Sequence, residues 1–213
     1  MSNLMQWHND VIGQRAVDAL RKNNFSANYF DNRQEAVDYI LKLIPEGTTI
    51  GVGGSRTGME LGLVELLEKR GHELFNHNQE GLTPEERIER RYKQLTCDVF
   101  LSGANAITLT GEIVNRDAFG NRVAAMMFGP KKVIIFVGTN KIVRDIEEAD
   151  KRIKMYAAPF NNKKYELPNP CVKTGECMDC SSPKRICNIT TVLSRRPPLT
   201  DIHIVILGEN LGF

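Results

Sequence analysis

Four cysteines fall within seventeen residues near the C-terminus: Cys171, Cys177, Cys180 and Cys187, in the spacing C-x5-C-x2-C-x6-C. The one other cysteine is Cys97, expected to be a buried core thiol. Clustered thiols contribute little in a reducing compartment unless they bind something, because disulfides do not persist there. Four thiolates can close a tetrahedral zinc site or hold an iron–sulfur cluster. The surrounding NPCVKTGECMDCSSPKRICN has little apolar material, so a metal would supply the organisation that burial cannot. Zinc tetrathiolate sites usually show two C-x2-C knuckles, and this segment has one, Cys177–Cys180. A [4Fe–4S] cluster tolerates such uneven spacing, so the residues alone leave iron–sulfur, zinc and unmetallated thiols open.

A second candidate is TIGVGGSRTGMELGL, which reads as strand, glycine turn, helix. Gly51, Gly53 and Gly54 permit close backbone approach. The helix start after Ser55–Thr57 offers unpaired N–H groups and a positive dipole end, and Arg56 adds charge. Gly53, Gly54, Ser55 and Thr57 are thus candidates for holding a phosphate or carboxylate. The pattern is neither a P-loop nor a dinucleotide fingerprint, and glycines serving only packing would read the same way.

The third candidate lies between Ser102 and Lys141, where polar residues stand in a region that should be apolar. Asn105, Thr110, Glu112, Asn115, Asp117, Asn121 and Arg122 alternate with small residues. A glutamate, an aspartate and an arginine converging with amides could clamp a carboxylate or supply a base. Ordinary turn chemistry accounts for the same composition.

Periodicity supplies the elements that would position these groups. Helices are expected over residues 8–23, from Asp31 or Asn32 through Ile44, from the glycine turn to about Arg70, from Pro84 to Lys93, and from Ile142 to about Tyr156. Strands are expected at residues 26–30, 48–52, 72–75, 98–102, 132–137 and 202–207. Ala106 to Arg116 reads as an inserted β-hairpin about Thr110-Gly111. Strands that are apolar along their length and alternate with helices predict an α/β fold with a mostly parallel sheet covered on both faces.

The chain of 213 residues is 41% hydrophobic and 25% charged, with a formal net charge of +2. These are the proportions of a soluble globular protein, and the charge gives no argument for nucleic acid or membrane. The N-terminal residues lack the pattern of a signal peptide, and the longest apolar run, Val133 to Val137, is far too short to cross a bilayer. A cytoplasmic location is expected.

The run NAITLTGEIVNRDAFGNRVAAMMFGPKKVIIFVGTNKIV closely resembles the signature of the LUD-domain family, the lactate-utilisation proteins. GVGGSRTGMELGL and the ending TDIHIVILGENLGF resemble it too, so the likeness spans nearly the whole chain as one domain, residues 1–213, with the cysteine-rich segment at 168–190. The resemblance implies the fold of CoA transferases and ribose-5-phosphate isomerase. It makes Asn105, Glu112, Asn115, Asn121, Arg122 and Lys141 candidate site residues, with Glu112 a candidate nucleophile by analogy with the CoA transferases. It further implies a role in oxidation of lactate or a related carboxylate, a small anionic metabolite as ligand, and electron-transfer partner proteins, and that redox context makes a [4Fe–4S] cluster on the four cysteines the expectation, with zinc as the alternative. A transferase or isomerase acting on a CoA thioester or a phosphorylated molecule, with zinc bracing the tail, is the competing expectation. A non-catalytic ligand-binding module is another, and a homo-oligomer is compatible with either. The glycine turn and the hairpin are expected to face each other across one cleft.

Overall fold

Residues 3–213 are described by a computed structural model, and the chain order of its elements follows the apolar pattern closely. Helix α1 (Asn3–Lys22) leads into β1 (Ser26–Phe30) and α2 (Arg33–Lys42), whose start is fixed by Asn32 accepting the N–H groups of Gln34 and Glu35. Next come β2 (Thr49–Val52), α3 (Arg56–Glu60), α4 (Leu63–Lys69) and β3 (Glu73–Asn76). Helix α5 (Pro84–Lys93) opens on a capping box between Thr83 and Glu86 with Pro84 in the first turn. Strands β4 (Val99–Ser102), β5 (Ala106–Thr108) and β6 (Ile113–Asp117) precede α6 (Asn121–Met127) and β7 (Lys132–Gly138). A 3₁₀ turn at Thr139–Lys141 gives way to β8 (Ile142–Val143), α7 (Ile146–Arg152), a π-helical turn (Ile153–Ala157) and α8 (Ala158–Lys164). The short α9 (Cys171–Thr174), β9 (Ile189–Leu193) and β10 (Asp201–Leu207) complete the order.

Six strands form one sheet in the order β1-β10-β7-β4-β2-β3, and every neighbouring pair is parallel. Helices cover both faces, as strands buried on both sides require. The alternation of β7 shows how the division is made. Val133, Ile135 and Val137 join Ile202, Ile204 and Ile206 of β10 and the Ala16–Val17–Leu20 stripe of α1 in one apolar cluster. Ile134 and Phe136 point the other way, into a cluster with Ile40 and Leu41 of α2 and Leu63 and Leu67 of α4.

Three expectations need correction. The helix foreseen from the glycine turn to Arg70 is broken in two at Gly62, which sits at a left-handed φ of 64°. The helix foreseen from Ile142 starts later, because Ile142–Val143 pairs as a strand with β5 and Asp145 caps the helix instead. The hairpin β5–β6 is not isolated: β8 and β9 flank it to give a second sheet in the order β8-β5-β6-β9. Ile107, Ile113 and Leu193 of this sheet share a cluster with Ile135, so the two sheets are held by common apolar contact.

Among the described residues no helix is long and apolar enough to cross a membrane. Ile135 is fully buried where the two sheets meet, so Ile135→Ala is expected to cost about 2–5 kcal/mol in urea unfolding. Ile88→Ala, on the exposed side of α5, should change stability by no more than about 0.5 kcal/mol.

Candidate functional site

A cavity of about 470 Å³ opens at the carboxyl ends of β2 and β4. Its wall takes Gly53 to Arg56 from the glycine turn, Ser102 to Asn105 from the end of β4, and Arg116 to Phe119 from the end of β6. Asn121 and Arg122 of α6, Lys141 after β7, and Asn161 and Tyr165 of the α8 region close it. The expected meeting of glycine turn and hairpin across one cleft is therefore what the geometry gives, at the place where parallel α/β sheets gather ligands.

Arg122 organises the floor. One guanidinium nitrogen donates to Gly103 O at 3.2 Å and to Asn115 Oδ1 at 2.7 Å. The other donates to Arg116 O at 2.9 Å and Asn105 Oδ1 at 3.3 Å. Asp117 lies 3.6 Å from its Nε. The two asparagines also brace each other's strands: Asn105 N–H donates to Asn115 Oδ1, and Arg116 N–H donates to Asn105 Oδ1. Asn115 is 1% exposed and stands behind the cavity wall, so its role is to hold Arg122 and Asn105.

Five cationic side chains line the cavity, Arg56, Arg91, Arg116, Arg122 and Lys141, against one carboxylate, Asp117. Arg56 is paired with Glu60, Arg116 with Asp150 and Arg122 with Asp117. Among the described residues Arg91 and Lys141 have no carboxylate within 4.0 Å. Arg91 stacks on Phe119 with its guanidinium carbon 4.8 Å from the ring centre, and its buried Nε finds no hydrogen-bond acceptor. Lys141 is 4% exposed and donates to Thr57 Oγ1 at 3.1 Å. Burial, with help from Arg152 and Arg122 and against the pull of Glu60, brings its ammonium down from 10.5 to about 7. Thr57 is itself fully buried and stands behind the turn, its hydroxyl donating a hydrogen bond to Leu211 O at 3.4 Å.

The glycine turn differs from a phosphate loop in its details. Gly53 N–H is already used by Leu101 O at 2.8 Å, and Ser55 caps Gly58 N–H. Helix α3 has only five residues, so its dipole is short. Gly54 has a φ of 70°, and a side chain there would approach Asn78 Nδ2 to 2.7 Å.

His77, in the polar NHN loop, reads from the sequence as near a site, whereas Gln94 and Arg152 were not foreseen. His77 lines the cavity and is held neutral, its proton affinity lowered to about 4, first by burial and then by Arg91 and Arg87. Gln94, fully buried, places its amide nitrogen within hydrogen-bond reach of Val52 O, Phe75 O and His77 Nδ1. Its oxygen accepts from Asn121 Nδ2 at 3.3 Å. Arg152 donates to Asn105 O at 2.7 Å and Asn140 O at 2.9 Å. Gln94 and Arg152 each sit on an element whose pattern reads as an ordinary helix or loop, so only the fold brings them in.

Glu112 is placed elsewhere. It sits in the turn between β5 and β6, its carboxylate taking hydrogen bonds from Thr108 and Thr110. That turn docks on the C-terminal end of α1 through Asn23, which donates to Thr110 O and Gly111 O. The hairpin brings its base, not its tip, to the cavity.

The four clustered cysteines surround a separate space of about 10 Å³ beside α8. Asp179 N–H donates to Cys177 Sγ at 3.4 Å, a knuckle-type contact. Burial and the neighbouring sulfurs raise the thiols of Cys171 and Cys187. Arg185 ties the loop through Cys180 O, Cys187 O and Asp179. The donor chemistry suits a metal, but among the described residues no three His, Cys, Asp or Glu side chains are set to hold an ion together. Ile186 faces both this space and the larger cavity. Cys97 is a core thiol, 2% exposed, donating to Gln94 O and Val99 O and raised by burial to about 11.

A profile of the LUD domain matches residues 13–207. The chain belongs to the LUD-domain family. The match takes in the glycine turn, the hairpin, Lys141 and all four clustered cysteines. A crystal structure of a DUF162 family protein from Deinococcus radiodurans at 1.70 Å resolution is similar, with a TM-score of 0.51 and 14% identity. The match covers 93% of this chain and 98% of that one, and at such identity it shows the fold alone. No curated protein matches this LUD-domain chain.

Lys141 gives a signed pH effect. Its folded proton affinity, about 7, lies below the ordinary 10.5, so the unfolded chain binds the extra proton between those values and native stability rises with pH across that window. Lys141→Met should therefore be more stable than wild type at and below about pH 7, with the margin shrinking toward pH 10.5. Denaturant titrations at several pH values check this. Asn115→Ala, which strips acceptors from Arg122 and Asn105 N–H, should cost roughly 1–3 kcal/mol in the same measurement.

Proposed function

We propose that this LUD-domain protein is a cytoplasmic protein of lactate or related carboxylate metabolism that binds a small anionic metabolite in the cavity at the strand ends. The observation that carries the reading is the excess of cationic side chains there, with Arg91 and Lys141 lacking carboxylate partners. A bound carboxylate or phosphate would take the unused Arg91 Nε–H and lower the repulsion among the cations. Ser55, Asn105 and Asn121 supply polar rim atoms, and Phe119 and Tyr165 give apolar walls for the rest of the ligand. Acyl transfer through Glu112 draws no support from the geometry, because that carboxylate stands at the far turn.

The second part of the reading is that Cys171, Cys177, Cys180 and Cys187 hold one thiolate-bound metal centre. Their gathering around one space and the knuckle N–H on Cys177 support it. The uneven spacing is compatible with a [4Fe–4S] site, while a space near 10 Å³ suits a single zinc ion better. A cluster would relay single electrons to a partner protein; zinc would brace the loop.

Thermal shift against inorganic phosphate, CoA esters, phosphosugars and 2-hydroxy acids tests the cavity. A true ligand stabilises the protein by roughly 2.7 kcal/mol at a hundredfold excess over Kd. Gly54→Val and Arg91→Ala should each weaken it at least about tenfold, some 1.4 kcal/mol. Equal binding by both variants, or no response to any anion, rejects the cavity reading. Metal analysis of anaerobically purified protein tests the cysteines: iron with sulfide and broad visible absorbance supports the cluster, stoichiometric zinc supports the brace, and neither metal rejects both.

A further inference from the structure

We propose that Lys141 is a nucleophilic amine that forms an imine with the carbonyl of a 2-oxo acid bound in the cavity, an inference that rests on the anion-binding reading. Three observations on its placement carry it. The side chain lines the cavity wall, yet it is almost completely removed from bulk water. Among the described residues its ammonium has no carboxylate within 4.0 Å and a single side-chain hydrogen bond, to Thr57 Oγ1, so it is held in place without a neighbouring counter-charge. It shares the cavity with the guanidinium groups of Arg56, Arg91, Arg116 and Arg122.

A lysine serving only as a structural cation would be paired with a carboxylate. The groups around Lys141 work against the proton: Arg152 from α7 and Arg122 from α6 repel it, and only Glu60 from α3 attracts it. Near neutral pH a substantial share of the amine is free base, the form with a lone pair to donate. The guanidinium groups would seat a carboxylate, and the smallest molecule with an electrophilic carbon beside a carboxylate is a 2-oxo acid. The nitrogen lone pair attacks the carbonyl carbon while the C=O π pair moves to oxygen, giving a carbinolamine. The two amine hydrogens leave with that oxygen as water as the C=N bond forms, so amine plus carbonyl gives imine plus water with no oxidant or reductant.

The test is reductive trapping on the full-length protein. Pyruvate or glyoxylate is added with cyanoborohydride, followed by intact mass and peptide mapping, with acetaldehyde as a carbonyl lacking the carboxylate and lactate as a carboxylate lacking the carbonyl. The expected result is one adduct, on the Lys141 peptide, with the other lysines at background. The trapping rate should climb roughly tenfold between about pH 6 and about pH 8, following the free amine. Lys141→Arg should leave no adduct at that peptide, and the wild-type map stands even if that variant folds poorly. Adducts scattered over surface lysines with Lys141 unmodified overturn the proposal. So does a thermal shift by pyruvate and lactate without any adduct, which would leave anion binding intact. Trapping of acetaldehyde at Lys141 as readily as pyruvate would keep the nucleophile and reject recognition of the carboxylate.

Discussion

The buried guanidinium of Arg122 is the interaction on which the cavity depends. It collects acceptors from Gly103 after β4, from Asn105 at the entry to β5 and from Asn115 and Arg116 of β6, and ties them to α6. A buried cation is tolerated only when its donors are satisfied, and the two carbonyls and two asparagine oxygens achieve that with Asp117 near enough to offset the charge. Removing any one acceptor leaves a desolvated donor, so the arrangement behaves as a unit. Asn105 and Asn115, which read in the sequence as ligand-binding amides, serve first to hold this arginine.

Electrostatics then explain why the surroundings look strained without being unstable. Three of the cavity's cations have carboxylate partners, and those partners sit on the outer side of the wall or in the loop itself. His77 stays neutral and Lys141 gives up much of its charge first because both are buried and then because the surrounding arginines are positive. Concave walls lined by one sign of charge focus that field toward the opening and draw anions from solution.

The parallel sheet was legible because β7 and β10 carry unbroken apolar runs, Val133 to Val137 and Ile204 to Leu207, and a strand buried on both faces has few other ways to look. The caps at Asn32 and Thr83 were legible because side chain and backbone meet within three residues. What could not be read depends on distance. Strand β9 follows a cysteine loop and alternates only weakly, and it becomes a strand because β6 offers it a partner. Gln94 and Arg152 sit on helices among charged neighbours, and nothing local distinguishes the buried pair from the solvated rest. Glu112 misled for the opposite reason: its neighbours in sequence belong to the site, but a hairpin carries its turn away from its base. Of the four cysteines, the sequence showed the gathering and left the shape of the space to the fold.

Ile186 has cationic cavity on one side and cysteine loop on the other. The two spaces thus have Ile186 as a common wall. On the proposed reading, a change in the thiol loop that moved Ile186 would also alter the outline of the cavity, and a ligand held against Ile186 would act back on the loop with the same free energy.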